Sequence, residues 1–160
     1  MPEPVIEWFD PGQTTGAACL DLETGKFFSG QYDPGELALH LLTMSRVSGV
    51  RLLIGYEQYL AAGGPQRGTS KHSQGAIGVI ESTAMQCGIT LLKPVPSSSR
   101  IVASPAFLRR MGWYTAGKPH ANDAARHLLA FLLRQHPVPA FVRERLFPGY
   151  TPDATISPLS

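Results

Sequence analysis

Two short apolar segments, each ended by a carboxylate, constrain the fold of this chain more than any other feature. Residues 5–9 run into Asp10-Pro11-Gly12, and residues 50–56 run into Glu57. Short apolar runs that are bounded by turn residues are typical of buried strands. We therefore predict two central strands, each with an acid at its carboxyl end.

The remaining segments alternate between strand and helix signals. Glu23-Thr24-Gly25 separates two strand candidates, residues 16–21 and 26–29, and indicates a hairpin. A third candidate for a central strand is residues 89–92. Capping residues and apolar spacing predict helices over residues 34–45, 72–86, 105–111 and 122–136, the first capped by Asp33 with Glu36 and the last by Asn122. This order predicts an α/β fold whose mixed sheet is covered by helices.

Length and composition indicate one domain. The chain has 160 residues, of which 43% are hydrophobic, and this suffices for a core without disulfides. We predict a domain over residues 1–136 and a proline-rich extension over residues 137–160. Cys19 and Cys87 lie in apolar runs, so we expect buried thiols in a reducing compartment. With no export signal and no apolar run long enough to cross a bilayer, we expect a cytoplasmic protein without a membrane partner.

Three acids define the candidate chemistry. Asp10 and Glu57 end two predicted strands, and Asp123 lies in the first turn of the last long helix. Ligands of α/β sheets bind at the carboxyl ends of the strands, where these acids can converge. Divalent cations relieve the repulsion between clustered carboxylates, and Mg²⁺ prefers oxygen ligands. The pattern therefore predicts metal-dependent hydrolysis of a phosphodiester, in which two ions clamp the attacking and leaving oxygens.

Each acid also has an ordinary structural interpretation. Asp10 suits a turn, Glu57 a solvated strand end, and Asp123 the positive end of a helix dipole. The joint pattern favours the metal site, because a solvent-facing carboxylate after the apolar strand of Glu57 has no local role.

Positive charge is concentrated in the second part of the chain. Residues 1–92 carry nine acids and five bases, a net −4, whereas residues 93–160 carry nine bases and three acids, a net +6. Such a distribution fits either a face that contacts an anionic polymer or helices with solvated arginines. The candidate contacts to DNA are Arg67, Lys71, Arg100 and Lys118 for phosphates, and Tyr59 for stacking on an unpaired base.

Four motifs, in order along residues 5–136, resemble the RuvC-type Holliday-junction resolvases of the ribonuclease H-like superfamily. They are the D-P-G…T-G pattern of residues 10–16, the Glu57-Gln58 pair, the Gly- and Ala-rich segment of residues 72–87, and the final motif of residues 120–125. The resemblance implies a five-stranded mixed sheet. It also implies that Asp10, Glu57, His120 and Asp123 are catalytic metal ligands for Mg²⁺, with Mn²⁺ as a substitute.

The resemblance further implies a homodimer that nicks opposed strands of a Holliday junction. His120 is Asp in some members of the family, and it can serve either as a ligand or in proton transfer. The family's basic contacts do not align cleanly here, so flaps, forks or free ends stay open as substrates. Two other classes are a branched-DNA-binding protein without catalysis and an actin-like phosphotransferase, which needs two such domains and therefore more chain than this.

Overall fold

The computed structural model describes residues 4–47, 49–58, 71–92, 95–96 and 103–149. Within these ranges there are six strands and five helices. The strands are β1 (Val5–Asp10), β2 (Thr15–Asp21), β3 (Phe27–Tyr32), β4 (Leu52–Gln58), β5 (Thr90–Leu91) and β6 (Val95–Pro96). The helices are α1 (Pro34–Ser45), α2 (Lys71–Cys87), α3 (Pro105–Met111), α4 (Pro119–Leu133) and α5 (Ala140–Leu146).

The sheet is mixed, as the sequence predicts. Five strands follow the order β3-β2-β1-β4-β5, and the two-residue β6 pairs with the end of β4. β1 is antiparallel to β2 and parallel to β4, with Phe9 opposite Tyr56. This register brings the carboxyl ends of β1 and β4 to one edge of the sheet.

Each face of the sheet carries its own apolar core. Ile6 and Trp8 of β1 pack with Leu128 of α4, in a cluster that also contains residues of α3 and α5. The neighbouring Phe9 points to the opposite face, where it packs with Leu37 of α1 and residues of α2. Because side chains alternate along a strand, Asp10 shares the α4 face with Trp8.

Two predicted local signals are confirmed. Asp33 caps α1 by accepting a bond from the Glu36 N–H at 2.9 Å, and the Glu36 carboxylate accepts one from the Asp33 N–H at 3.0 Å. In the hairpin, the Asp21 side chain accepts from the backbone of Glu23 and Thr24. Gly25 adopts a φ of +67°, the conformation that glycine accommodates without strain.

The prediction that Asn122 caps the last long helix is wrong. The helix begins at Pro119, and Asn122 instead bonds the N–H and the carbonyl of Thr115, each at 2.8 Å. The amide oxygen of Gln31 in β3 accepts from the backbone N–H groups of His120 and Ala121. Pro119 has no N–H, so the first N–H groups of the helix that need a partner are those of His120 and Ala121. Gln31 of β3 accepts from both, and a neighbouring strand thus supplies the cap.

Close approach between β2 and α4 depends on Gly16. A Cβ atom at this position would lie 1.9 Å from the carbonyl oxygen of His120. Because Gly16 has no side chain, the start of α4 can pack directly against β2. In contrast, a Cβ added at Gly75 or Gly78 of α2 would meet nothing within 4 Å in the described chain.

The thiols differ from expectation. Cys19 is partly buried, but Cys87 is exposed at the end of α2, so the prediction of two buried thiols is wrong for Cys87.

In the proline-rich segment, α5 buries Val142 and Leu146 against the α4 side of the sheet. None of the helices within the described residues is long and apolar enough to cross a membrane.

Candidate metal centre

Asp10 and Glu57 lie side by side at the ends of two parallel strands. They follow the paired residues Phe9 and Tyr56 directly. Both side chains are buried, with 7% of Asp10 and none of Glu57 exposed to solvent. Two carboxylates therefore meet at the edge of the sheet where α/β folds bind ligands.

Helix α4 adds three polar side chains to the same place. His120, Asp123 and His127 follow one another at spacings of three and four residues, so they share one side of the helix. The Nδ1 atom of His120 is 3.5 Å from Oδ2 of Asp10, and Nε2 of His127 is 2.7 Å from Oε2 of Glu57. One face of α4 therefore packs over the ends of both β1 and β4.

Asp123 is more exposed than the strand acids. Its Oδ1 accepts a bond of 3.2 Å from Arg126, whose Nε also donates to the carbonyl of Ala103 at 2.8 Å. The arginine anchors one side of the Asp123 carboxylate and compensates part of its charge.

Burial raises the pKa of the Asp10 carboxyl above its ordinary value of 3.8. The negative charges of Asp123 and, more weakly, Glu57 act in the same direction. The charge of His127 and the hydrogen bond from His120 oppose them. Asp10 therefore lies in a negative field, and a cation placed there would stabilise its ionised form.

The donor set fits a divalent cation. Both carboxylate oxygens of Glu57 are buried, and neither accepts a hydrogen bond from any residue that the structure describes, despite the close Nε2 of His127. Burying an unsatisfied carboxylate is costly unless a charge compensates it. Ligand atoms of Asp10, Glu57 and His127 all lie within 4.8 Å of one another. This arrangement has the composition and size of a metal site.

The predicted site residues separate into two groups. Asp10 and Glu57 lie together, His120 lies against Asp10, and the charge of Asp123 acts on Asp10. Among the described residues, however, the group whose ligand atoms all lie within 4.8 Å of one another contains His127 and neither His120 nor Asp123. Of the predicted DNA contacts, Lys71 is exposed at the start of α2 and Lys118 is exposed immediately before α4. The other predicted DNA contacts, namely Tyr59, Arg67 and Arg100, lie outside the described residues.

His127 is the residue that the sequence interpretation missed. Its neighbours Ala124 and Leu128 belong to the apolar stripe of α4, and this stripe favours a purely structural interpretation of the segment. The available signal is its spacing, since His127 follows Asp123 by four residues and His120 by seven.

Comparison with known proteins places the fold. No protein-family model matches the chain, and no curated protein matches its sequence. Among solved structures, it is similar to Thermus thermophilus RuvC in complex with a Holliday junction substrate, with a TM-score of 0.58 and 13% identity over 89% of this chain and 93% of that one. A second Thermus thermophilus RuvC structure gives a TM-score of 0.57 at 13% identity, over 88% and 93% of the two chains. The chain therefore has the ribonuclease H-like fold of RuvC.

Proposed function

We propose that this protein is a metal-dependent endonuclease that cuts branched DNA, with the four-way junction as its principal substrate. The observation that carries the proposal is the buried pair Asp10 and Glu57 at the edge where the fold binds ligands, because neither oxygen of Glu57 has a hydrogen-bond partner among the described residues. Asp123 and His120 complete the site on its more exposed side. The fold shared with RuvC, one structure of which contains a Holliday junction substrate, supports the choice of DNA.

In this mechanism Asp10, Glu57 and Asp123 hold the ions, and His120 either joins them or moves a proton. Bound divalent ions supply charge stabilisation at the attacking and leaving oxygens of the phosphodiester, with Mg²⁺ proposed and Mn²⁺ as its substitute. The half-exposed imidazole of His120 lies on the solvent side of Asp10, where it can exchange a proton with water.

The turn that follows Asp10 is closed by the side chain of Thr15. The Thr15 hydroxyl donates to the carbonyl of Gly12 at 3.3 Å and accepts from its N–H at 3.5 Å. These bonds close the turn that follows Asp10. The start of α4 is held by Gln31, which pairs with Gly16, and Gly16 in turn pairs with Asp10. The strand acid and His120 are therefore positioned by the same row of paired residues.

Contacts to phosphate are proposed for four cationic side chains. Lys118 precedes the helix that carries His120, so it lies close in sequence to the site. We propose Lys118 and Lys71 as contacts to the backbone of DNA, together with Arg67 and Arg100, and Tyr59 as a stacking residue.

A homodimer would match the symmetry of the proposed substrate. A four-way junction has two-fold symmetry, so a two-fold dimer presents one site to each of two strands. Gly75 and Gly78 are exposed on α2, and a second copy of that helix is their proposed partner. In this proposal residues 1–136 form the nuclease domain and residues 137–160 are its extension.

The test is cleavage of an end-labelled four-way junction, a 5′ flap and a linear duplex with Mg²⁺ or Mn²⁺. The wild type should introduce paired symmetric nicks in the junction, and Asp10→Asn and Glu57→Gln should abolish them. Glu7→Gln is the matched control, because Glu7 is also a buried acid of β1 but points to the opposite face.

The alternatives give different results in this experiment. Preferential cutting of flaps or ends would retain the metal mechanism and replace junction resolution by a flap, fork or exonuclease activity. Binding of the junction without cleavage under any metal would leave a branched-DNA-binding protein. Cleavage that survives both substitutions would reject the proposed site.

A further inference from the structure

His127 is a second, buried histidine in the candidate metal centre. Only 2% of its side chain is exposed, compared with 45% for His120. Its Nε2 atom points at Glu57, the acid that no solvent reaches. The two histidines of α4 therefore approach the strand acids from different sides, one at the surface and one within the core.

The imidazole of His127 lies in an otherwise apolar part of the helix interface. The adjacent positions of the helix interface are Ala124 and Leu128, both fully buried and apolar. A buried polar ring costs free energy unless its nitrogen atoms are used. Nε2 lies 2.7 Å from Glu57 Oε2, yet Oε2 is not satisfied by a hydrogen bond from any described residue. Two ligand atoms of one cation lie at such a distance without a hydrogen bond between them, since neighbouring ligands of an octahedral ion are about 3 Å apart.

We propose that Nε2 of His127 is a nitrogen ligand to the ion held by Asp10 and Glu57, and that it biases this site towards Mn²⁺ over Mg²⁺. The inference rests on the metal centre of the proposed function, adds a ligand to it, and makes Mn²⁺ the more tightly bound of the two ions proposed there. The observation behind it is that ligand atoms of these three residues all lie within 4.8 Å of one another.

The preference follows from the chemistry of the ligands. Mg²⁺ takes oxygen ligands almost exclusively and keeps several waters. Imidazole suits first-row transition ions, whereas carboxylates accept either class of ion. A site with two carboxylates and one imidazole therefore disfavours Mg²⁺ relative to a site built of carboxylates alone. Since His127 is enclosed by the core and His120 is not, the more buried ion position is the one that gains the nitrogen.

Direct ion binding tests the inference without reference to cleavage. Mn²⁺ is titrated by electron paramagnetic resonance and Mg²⁺ by calorimetry, on the full chain. The wild type should bind Mn²⁺ at least about tenfold more tightly than Mg²⁺. His127→Gln, which puts an amide oxygen near the position of Nε2, should weaken Mn²⁺ binding at least about tenfold and change Mg²⁺ binding much less.

His40→Gln is the matched control, because His40 pairs with the buried Glu7 on the other face of the sheet. This variant should retain the ion preference of the wild type. An unchanged ratio of Mn²⁺ to Mg²⁺ affinity in folded His127→Gln would overturn the inference.

A second measurement avoids any change at His127. Pulsed electron paramagnetic resonance detects nitrogen bonded to Mn²⁺, and the coupling should persist in His120→Gln. Loss of the coupling in that variant would assign the nitrogen to His120 and reject His127 as a ligand. The two proposals also fail differently: if the wild type binds neither ion, or Asp10→Asn binds both normally, the metal centre itself is wrong.

Discussion

The two faces of the sheet each carry a buried glutamate paired with a histidine, and only one of these pairs lies at a strand end. Glu57 contacts His127 on the α4 face, and Glu7 contacts His40 on the α1 face. Both glutamates are at most 1% exposed. The pairs are therefore similar in composition and burial.

Their surroundings differ. Glu7 lies in the middle of β1, and the ring of His40 stacks on Tyr32 with a centroid distance of 4.5 Å. This pair borders an open, mainly apolar cavity of about 400 Å³ that Cys19 also lines. Glu57 instead has Asp10 beside it at the carboxyl end of the neighbouring strand. The comparison teaches that the second carboxylate and the strand-end position, rather than a buried Glu–His pair, make a candidate metal site.

The largest expected difference between the two pairs is in stabilisation by metal. Mn²⁺ at 100 times its dissociation constant should raise the free energy of unfolding of the wild type by about 2.7 kcal/mol. Glu57→Gln should lose this gain and Glu7→Gln should keep it, as measured by calorimetric melting with and without the ion. Equal gains in both variants would remove the distinction between the two faces.

The contact between β2 and α4 provides the next largest effect. Gly16→Ala forces a Cβ atom against the His120 carbonyl and should cost about 1–3 kcal/mol, because the backbone must move. The shift should also weaken metal binding, since the start of α4 carries His120. Gly35→Ala is the control: in the exposed first turn of α1 its Cβ atom would make only an ordinary contact, 3.5 Å from Oδ1 of Asp33, and it should not lower the free energy of unfolding. If denaturant unfolding gave Gly16→Ala the same free energy of unfolding as the wild type, the close approach between β2 and α4 would be contradicted.

The raised pKa of Asp10 predicts a pH dependence in metal-free protein. As pH rises above 3.8, the unfolded chain loses this proton first, while the buried folded carboxyl retains it. Stability therefore falls through the window between 3.8 and the raised pKa, and the loss persists at neutral pH. Asp10→Asn lacks this penalty, so in chelator it should gain stability over the wild type as pH rises. A difference between the two proteins that does not vary with pH would refute the burial of a charge here.

The smallest effect concerns the opposite face. Burial and the negative charge of Glu7, followed by that of Asp21, raise the pKa of the Cys19 thiol to about 12. Alkylation at pH 8 should therefore modify the exposed Cys87 much faster than Cys19, and Glu7→Gln should accelerate the reaction of Cys19 roughly threefold. Peptide mapping by mass spectrometry gives both rates. If Glu7→Gln left the alkylation rate of Cys19 unchanged, the charge of Glu7 would not influence the pKa of this thiol.

The sequence predicts the parts of this site that rest on local signals. The strands that carry Asp10 and Glu57 are recognisable because apolar runs end at acids, and α1 because its capping box is contiguous. The start of α4 is mispredicted because its cap comes from Gln31, some 90 residues earlier, through a contact that local pattern cannot contain.

His127 illustrates the same limit. It lies among apolar neighbours at helical spacing, which is also the pattern of an ordinary core helix. What distinguishes it is the buried Glu57 opposite, and that pairing depends on how α4 crosses the sheet. The position of a ligand along its helix can be predicted from spacing, but its partner requires the tertiary fold.

The central claim is tested most directly by a crystal structure of the protein grown with Mn²⁺, using anomalous scattering to locate the ion. The account predicts an anomalous peak in contact with Asp10, Glu57 and His127, and none at Glu7 and His40. A peak at the Glu7 pair, or no peak at the ends of β1 and β4 in saturating Mn²⁺, would contradict it.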